Sequence, residues 1–197
     1  MKIGVLAVQG DFAEHIATLK ELGVETQEVR LPHQLKGLDG LIMPGGESTT
    51  LSRLMTIYEL RKPVRAMAAR GKAIWGTCAG MVMMASEITE QDPVPLKIMD
   101  IGVLRNAFGR QIDSFEQDLS VAGLDDPPYH AVFIRAPVIT RVGDQVQVLA
   151  SLPDGRPVAV QQGPLLATSF HPELTSDTRL HRRFLDLTSW APSGQKA

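Results

Sequence analysis

The sequence predicts an α/β fold of three layers, with a mostly parallel sheet, helices on both faces and some added antiparallel strands. Three observations point there. Over the first eighty residues, short apolar runs rich in β-branched residues alternate with segments of helical periodicity. Strand–helix–strand connections of that length imply right-handed crossovers, and hence parallel pairing with both sheet faces covered. From about residue 100 onward the pattern changes to short strand candidates separated by Gly, Pro and Asp turns, with little helical periodicity until the final segment.

Taken in order, "KIGVLAV" (2–8) reads as a buried strand, and "DFAEHIATLKEL" places Phe12, Ile16, Leu19 and Leu22 at helical spacing. "VETQEVRL" alternates as a half-buried strand does, and "GLIMPG" is a short buried one. "STTLSRLMTIYEL" opens with N-cap residues ahead of a helical pattern. "KPVRAMAAR" follows as a helix with its proline near the first turn, then "KAIWGT" as a fourth strand. The second half offers "DIGVLRNAFGRQIDSFEQDLSV", "AVFIRAP", "VQVLASL", "RPVAVQQG" and "LLATSF", read as strands added antiparallel beside the parallel sheet. Leu180, Phe184 and Leu187 share one face of a closing helix that Ser176 or Asp177 can cap. One domain over 1–190 and a frayed tail at 191–197 are expected.

Composition narrows the function classes. Hydrophobic residues make up 44% and charged residues 21%, and no apolar run reaches the roughly 20 residues of a membrane span. Twenty basic and twenty-two acidic residues give a net charge of -2, without the Lys/Arg cluster that tracks a phosphate backbone. Neither a membrane nor a nucleic acid is expected as partner. The first residues lack a signal-peptide pattern and the one cysteine cannot form an intrachain disulfide, so a cytoplasmic location is expected.

That cysteine is the most informative residue. A lone cysteine is by default a small buried hydrophobe. Cys78, however, sits in "GTCAG", after a buried strand and before "MVMMASE", which gives the glycine-x-nucleophile-x-glycine layout of a strand-to-helix elbow. Gly76 and Gly80 permit the tight backbone, and a helix N-terminus at the thiol favours the thiolate. The N–H of Ala79 is then placed to bind an oxyanion. Met81, Met83 and Met84 read as helix packing.

A nucleophilic thiol needs a base. His15 and His181 lie within helical patterns, His33 follows a proline and His130 follows "DDPPY"; all four read as surface or packing residues. His171 follows the strand "LLATSF", at a carboxyl end where open α/β sheets build their sites. Pro172 keeps "HPE" extended, so Glu173 falls on the same side as His171 and can orient the imidazole. Cys78, His171 and Glu173 are thus candidate nucleophile, base and orienting carboxylate. Alone, "HPE" could be a turn with a surface carboxylate.

"MPGGESTT" (43–50) follows a strand and precedes a helix but lacks the lysine of a P-loop. It reads either as a plain capped turn or, at a strand's carboxyl end, as a close-approach loop. There the Gly45 and Gly46 peptides supply a second oxyanion donor, with Glu47 alongside.

Together, "LAVQGDFAEH", "MPGGESTTLSRL", "GTCAGM", "RNAFGRQIDSFE", "VFIRAP" and "TSFHPEL" resemble, in this order and over about 2–190, the glutaminase subunits of pyridoxal 5'-phosphate synthase, a family of class I triad-type glutamine amidotransferases. "RNAFGRQ" discriminates this family from others with the same triad. The resemblance implies a flavodoxin-like fold and hydrolysis of L-glutamine to glutamate and ammonia through a Cys78 thioester, with His171 and Glu173 completing the triad. It also implies glutamine binding by Gly46, Glu47, Ser48, Arg105, Ile134 and Arg135, with Gln9 at the same mouth, and no metal or cofactor. The implied partner is a (β/α)8-barrel synthase subunit in a dodecameric assembly. Without the resemblance, Arg105 and Arg135 read as surface arginines. From the residues alone, a stand-alone thiol amidase or γ-glutamyl hydrolase and a redox-sensing thiol protein remain open.

Overall fold

The structure is a computed structural model in which residues 1–105 and 114–190 are described. Most of "RNAFGRQ" and the expected frayed tail lie outside the described residues. The chain opens with β1 (Lys2–Leu6), α1 (Phe12–Glu21) and β2 (Glu25–Val29), and a short 3-10 turn leads to β3 (Gly40–Met43). Next come α2 (Ser48–Ile57), α3 (Arg61–Ala69), β4 (Ala73–Thr77) and α4 (Ala79–Met84). The second half holds β5 (Ala85–Ile88), β6 (Met99–Leu104), β7 (Ser114–Leu119), β8 (Tyr129–Ile134), β9 (Val138–Val142), β10 (Gln147–Ser151), β11 (Pro157–Gln162) and β12 (Leu165–Thr168). A 3-10 turn at Pro172–Leu174 and α5 (Arg179–Leu187) close it.

The main sheet has the order β10-β11-β12-β4-β3-β1-β2. Its five strands from β12 to β2 are parallel, and β11 and β10 extend it antiparallel. Buried apolar side chains alternate across it as a pleat requires. Leu6, Leu41, Met43 and Ile74 pack with α2, α3 and α4 on one face. Ile3, Val5, Ile42 and Trp75 pack with α1 and α5 on the other. This is the three-layer, flavodoxin-like arrangement expected.

The second half departs in detail. "LLATSF" does not join antiparallel: β12 lies parallel to β4, with Thr168 opposite Thr77. "DIGVL" and "AVFIRAP" stand outside the main sheet, in a three-stranded β5-β6-β9 sheet and a two-stranded β7-β8 ribbon. "ASEI" leaves α4 directly as β5, and β9 lies where no strand was read. Short strands carry no signal for which neighbour they pair with; packing against the covered sheet decides it. In α5, Thr178 takes the N-cap position, while the Asp177 Oδ1 accepts from the Arg179 N–H at 3.0 Å.

The parallel strands reverse direction of winding between β1 and β3. Ligand clefts of open sheets form at the carboxyl ends beside such a point. The loops after β1, β3, β4 and β12 carry Gln9 and Asp11, Gly45 to Ser48, Cys78, and His171 with Glu173, so one cleft gathers all of them.

Candidate active site

Cys78 links β4 to α4 with φ +46° and ψ −104°, a conformation that non-glycine residues hold only under local strain of about 1–3 kcal/mol. Both flanking glycines are sterically required. A side chain at Gly76 would meet the Gly80 backbone at 2.6 Å, and one at Gly80 would collide with the Met43 carbonyl of the neighbouring strand. The elbow is thereby clamped between β3 and β4. Cys78 Sγ lies 3.9 Å from the Ile134 carbonyl. Ala79, the first residue of the six-residue α4, is at a position whose N–H has no acceptor within its own helix.

His171 follows β12, and its backbone N–H is fixed to the Val132 carbonyl at 2.9 Å. Its Nδ1 lies 2.7 Å from Oε1 of Glu173, whose side chain is fully buried. With Nδ1 so engaged, Nε2 is the ring nitrogen left to serve the thiol. Burial opposes charge on this imidazole, but hydrogen bonding to Asp11, Cys78 and Glu173 outweighs it and raises its pKa far above the ordinary value. Burial raises the pKa of Glu173, and His171 partly offsets that.

Asp11 was not among the residues singled out. Its Oδ2 lies 3.5 Å from His171 Nδ1, so the imidazole faces two carboxylates. Hydrogen bonding to His171 lowers the Asp11 pKa despite partial burial. Asp11 stands just before α1 as an N-cap residue would, yet makes no cap bond; an acidic residue before a helix reads as a cap, which hid it. Ligand atoms of Asp11, His171 and Glu173 lie within 4.8 Å of one another. A metal ion could bridge that spacing, and an imidazolium between two carboxylates accounts for it without one.

Asp11, Gly46, Glu47, Ser48, Cys78, Arg105, Ile134, Arg135 and His171 line one open cavity of about 270 Å³. Of the expected mouth residues, Gln9 contributes as a tether: its Oε1 accepts from the Glu47 N–H at 3.0 Å, beneath Gly46 at φ +134°. A side chain at Gly46 would collide with the Gln9 amide. The Glu47 carboxylate caps α2 through the N–H groups of Thr49 (2.9 Å) and Thr50 (2.6 Å). Slight burial opposes its ionisation, but these donors prevail and hold its pKa at about 2. Arg105 reaches it at 3.5 Å and also donates to the Asp92 carbonyl at 2.6 Å.

Comparison with known proteins fits this geometry. The family model described as the SNO glutamine amidotransferase family matches residues 5–189. The chain belongs to that family. It is 56% identical over 190 residues to the pyridoxal 5'-phosphate synthase subunit PdxT of Herpetosiphon aurantiacus, covering 95% of this chain and 100% of that one. The protein of the same name from Parafrankia sp. is 54% identical over 188 residues, with 94% and 92% covered. A crystal structure of a glutamine amidotransferase superposes with a TM-score of 0.89 at 52% identity, covering 94% and 98% of the two chains.

Of the four histidines read as surface or packing residues, two are packing residues. His15 and His181 are not surface residues: both are fully buried, beneath Glu173 and against Trp75. His15 Nδ1 lies 3.0 Å from His181 Nε2. His15 sits one residue before Ile16 on the inward stripe of α1. His130 is exposed, between Asp118 and Glu116.

Proposed function

We propose that Cys78, His171 and Glu173 carry out the reaction of this glutaminase, whose ammonia feeds pyridoxal 5'-phosphate synthesis. Cys78 passes its thiol proton to His171, and Sγ attacks the side-chain carboxamide carbon of L-glutamine, forming the C–S bond. The developing oxyanion accepts from the N–H of Ala79 and from the Gly46 peptide. His171 delivers a proton to the departing nitrogen, the C–N bond breaks and ammonia leaves. Water, deprotonated by His171, then hydrolyses the γ-glutamyl thioester, releasing glutamate and restoring the thiol. Glu173 holds the imidazole through Nδ1 and balances its charge.

Around this centre Glu47 takes the substrate's amino group and Arg105 or Arg135 its carboxylate, with Gly46, Ser48 and Ile134 as walls and Gln9 as a loop tether. The observation that carries the reading is a strained thiol facing an imidazole whose other nitrogen is held by a buried carboxylate. The small charged cavity suits a free amino acid better than a peptide.

The synthase subunit is the partner. In this reading it is a (β/α)8 barrel in a dodecameric assembly, in a cytoplasmic setting, and it is docked by one glutaminase domain spanning 1–190. No helix among the described residues is long and apolar enough to cross a membrane. The test is glutamate release from glutamine by the purified chain, alone and with an equimolar synthase subunit, with Cys78→Ala as blank. Turnover that rises steeply with the partner is expected. Equal turnover in both tubes would remove the partner requirement, and none in either would remove glutamine as substrate.

A further inference from the structure

Beneath the site, buried imidazoles continue the line of polar groups beyond the carboxylate. Glu173 uses Oε1 for His171, and its Oε2 is buried with no hydrogen bond of ordinary geometry among the described residues. The group that approaches it is Nε2 of His15, at 3.3 Å, between two side chains with no solvent exposure. A buried carboxylate oxygen without a donor is costly, so a ring nitrogen this close to it needs an explanation.

The tautomers follow from the partners. If His15 carries its proton on Nε2, that N–H is a donor 3.3 Å from Glu173 Oε2, outside ordinary hydrogen-bond geometry, with the Thr77 Oγ1 at 3.4 Å as its present partner. Nδ1 is then an acceptor, and the His181 Nε2–H, 3.0 Å away, is its donor. This leaves His181 Nδ1 without a proton, and it is the one ring nitrogen of the pair with no partner among the described residues. The opposite choice would put a lone pair of His15 3.3 Å from the carboxylate oxygen. Burial, with the charges of His181 and His171, keeps His15 neutral by lowering its pKa, and burial brings that of His181 down to about 4. The groups facing His15 are Glu173 from the turn after β12, His181 from α5, and Thr77 and Trp75 from β4.

We propose that His15 is a positioning residue for the reaction, donating its Nε2–H to the second oxygen of Glu173, with His181 fixing the tautomer that makes this donation possible. The line Cys78, His171, Glu173, His15, His181 then runs from the cleft to the core, and its neutral end keeps the buried carboxylate ionised and aimed at His171. This rests on the triad reading above.

The experiment measures kcat and KM for glutamine with the synthase subunit present, and the pH dependence of Cys78 alkylation by iodoacetamide on the full chain. It compares wild type, His15→Leu, His15→Gln and His171→Gln. His15→Leu leaves Oε2 without a donor and favours the protonated carboxyl. It should lower kcat by about 10- to 100-fold with KM unchanged, and move the acid limb of alkylation to higher pH. His15→Gln, whose amide can donate to Oε2, should stay within about threefold of wild type with its limb near the original.

A folded His15→Leu chain with wild-type kcat and limb would overturn the proposal. So would loss of activity in both His15 variants in step with thermal stability while the limb stays put. Should His15→Leu not fold, His15→Gln decides: a folded chain with its limb displaced as far as in His171→Gln refutes the donor role. If His171→Gln alkylates with the wild-type pH dependence, the Cys78–His171 assignment itself fails. If it shifts and His15→Leu does not, the role of His15 alone fails.

Discussion

The mouth of the cleft and its floor are built from the same residue types under opposite conditions. At the mouth, Asp11 and Glu47 have side chains 41% and 56% exposed, and Glu47 is held by local helix-capping bonds and a 3.5 Å contact to Arg105. At the floor, Glu173 and His15 have side chains with no exposure. Water can stand in for any partner a mouth group gives up on binding substrate. It cannot do so at the floor, where a lost partner leaves a bare polar atom. Changes at the floor should therefore act on turnover and folding, and changes at the mouth on substrate affinity.

The most direct way to break this contrast is Glu173→Gln, which keeps the shape but removes the charge beneath His171. A fall in kcat of about 10³-fold with KM little changed is expected in steady-state glutaminase assays. A fall confined to KM would erase the distinction between floor and mouth.

Next in size is the acid limb of stability. An unfolded His181 binds a proton below its ordinary pKa of 6.5, whereas the folded one does so only below about 4. Between these values the unfolded state holds the extra proton, so stability falls as pH falls from 6.5 to 4, by about 3 kcal/mol from this group. Urea unfolding at the two ends of that window should show His181→Leu losing less than wild type. Exposed mouth groups should contribute far less.

Arg105→Ala should raise the glutamine KM about tenfold with kcat nearly unchanged, as expected on losing one charge-assisted contact at a solvated rim. A drop in kcat instead would move Arg105 from binding to the reaction. Smallest is Asp11→Asn: the carboxylate is partly exposed and stands 3.5 Å from an imidazole that Glu173 already holds at 2.7 Å. We expect a loss in kcat/KM of about threefold or less, with the His171 pKa lowered.

Much of the site was legible in the chain because its signals are local. An elbow needs glycines on both sides of its nucleophile, and "GTCAG" carries them; a carboxylate two residues from an imidazole in an extended segment needs no knowledge of the fold. Gln9 was readable only by resemblance, since its role is to hold the Glu47 N–H 38 residues away. Asp11 was hidden because a helix cap and a second carboxylate at the site look identical in sequence. The contact between His15 and His181 was hidden because they lie 166 residues apart and meet only when α1 and α5 pack on the same face of β4.

Hydrophobic periodicity and glycine placement were thus enough for the parallel core, the elbow and the Cys78, His171 and Glu173 set, since each depends on backbone geometry over a few residues. The tertiary structure alone decided that β12 runs parallel beside β4, that β5-β6-β9 and β7-β8 stand apart, and that two imidazoles are sealed under the carboxylate. Those outcomes turn on which surfaces exclude water together, and exclusion is a property of the packed whole rather than of any stretch of chain.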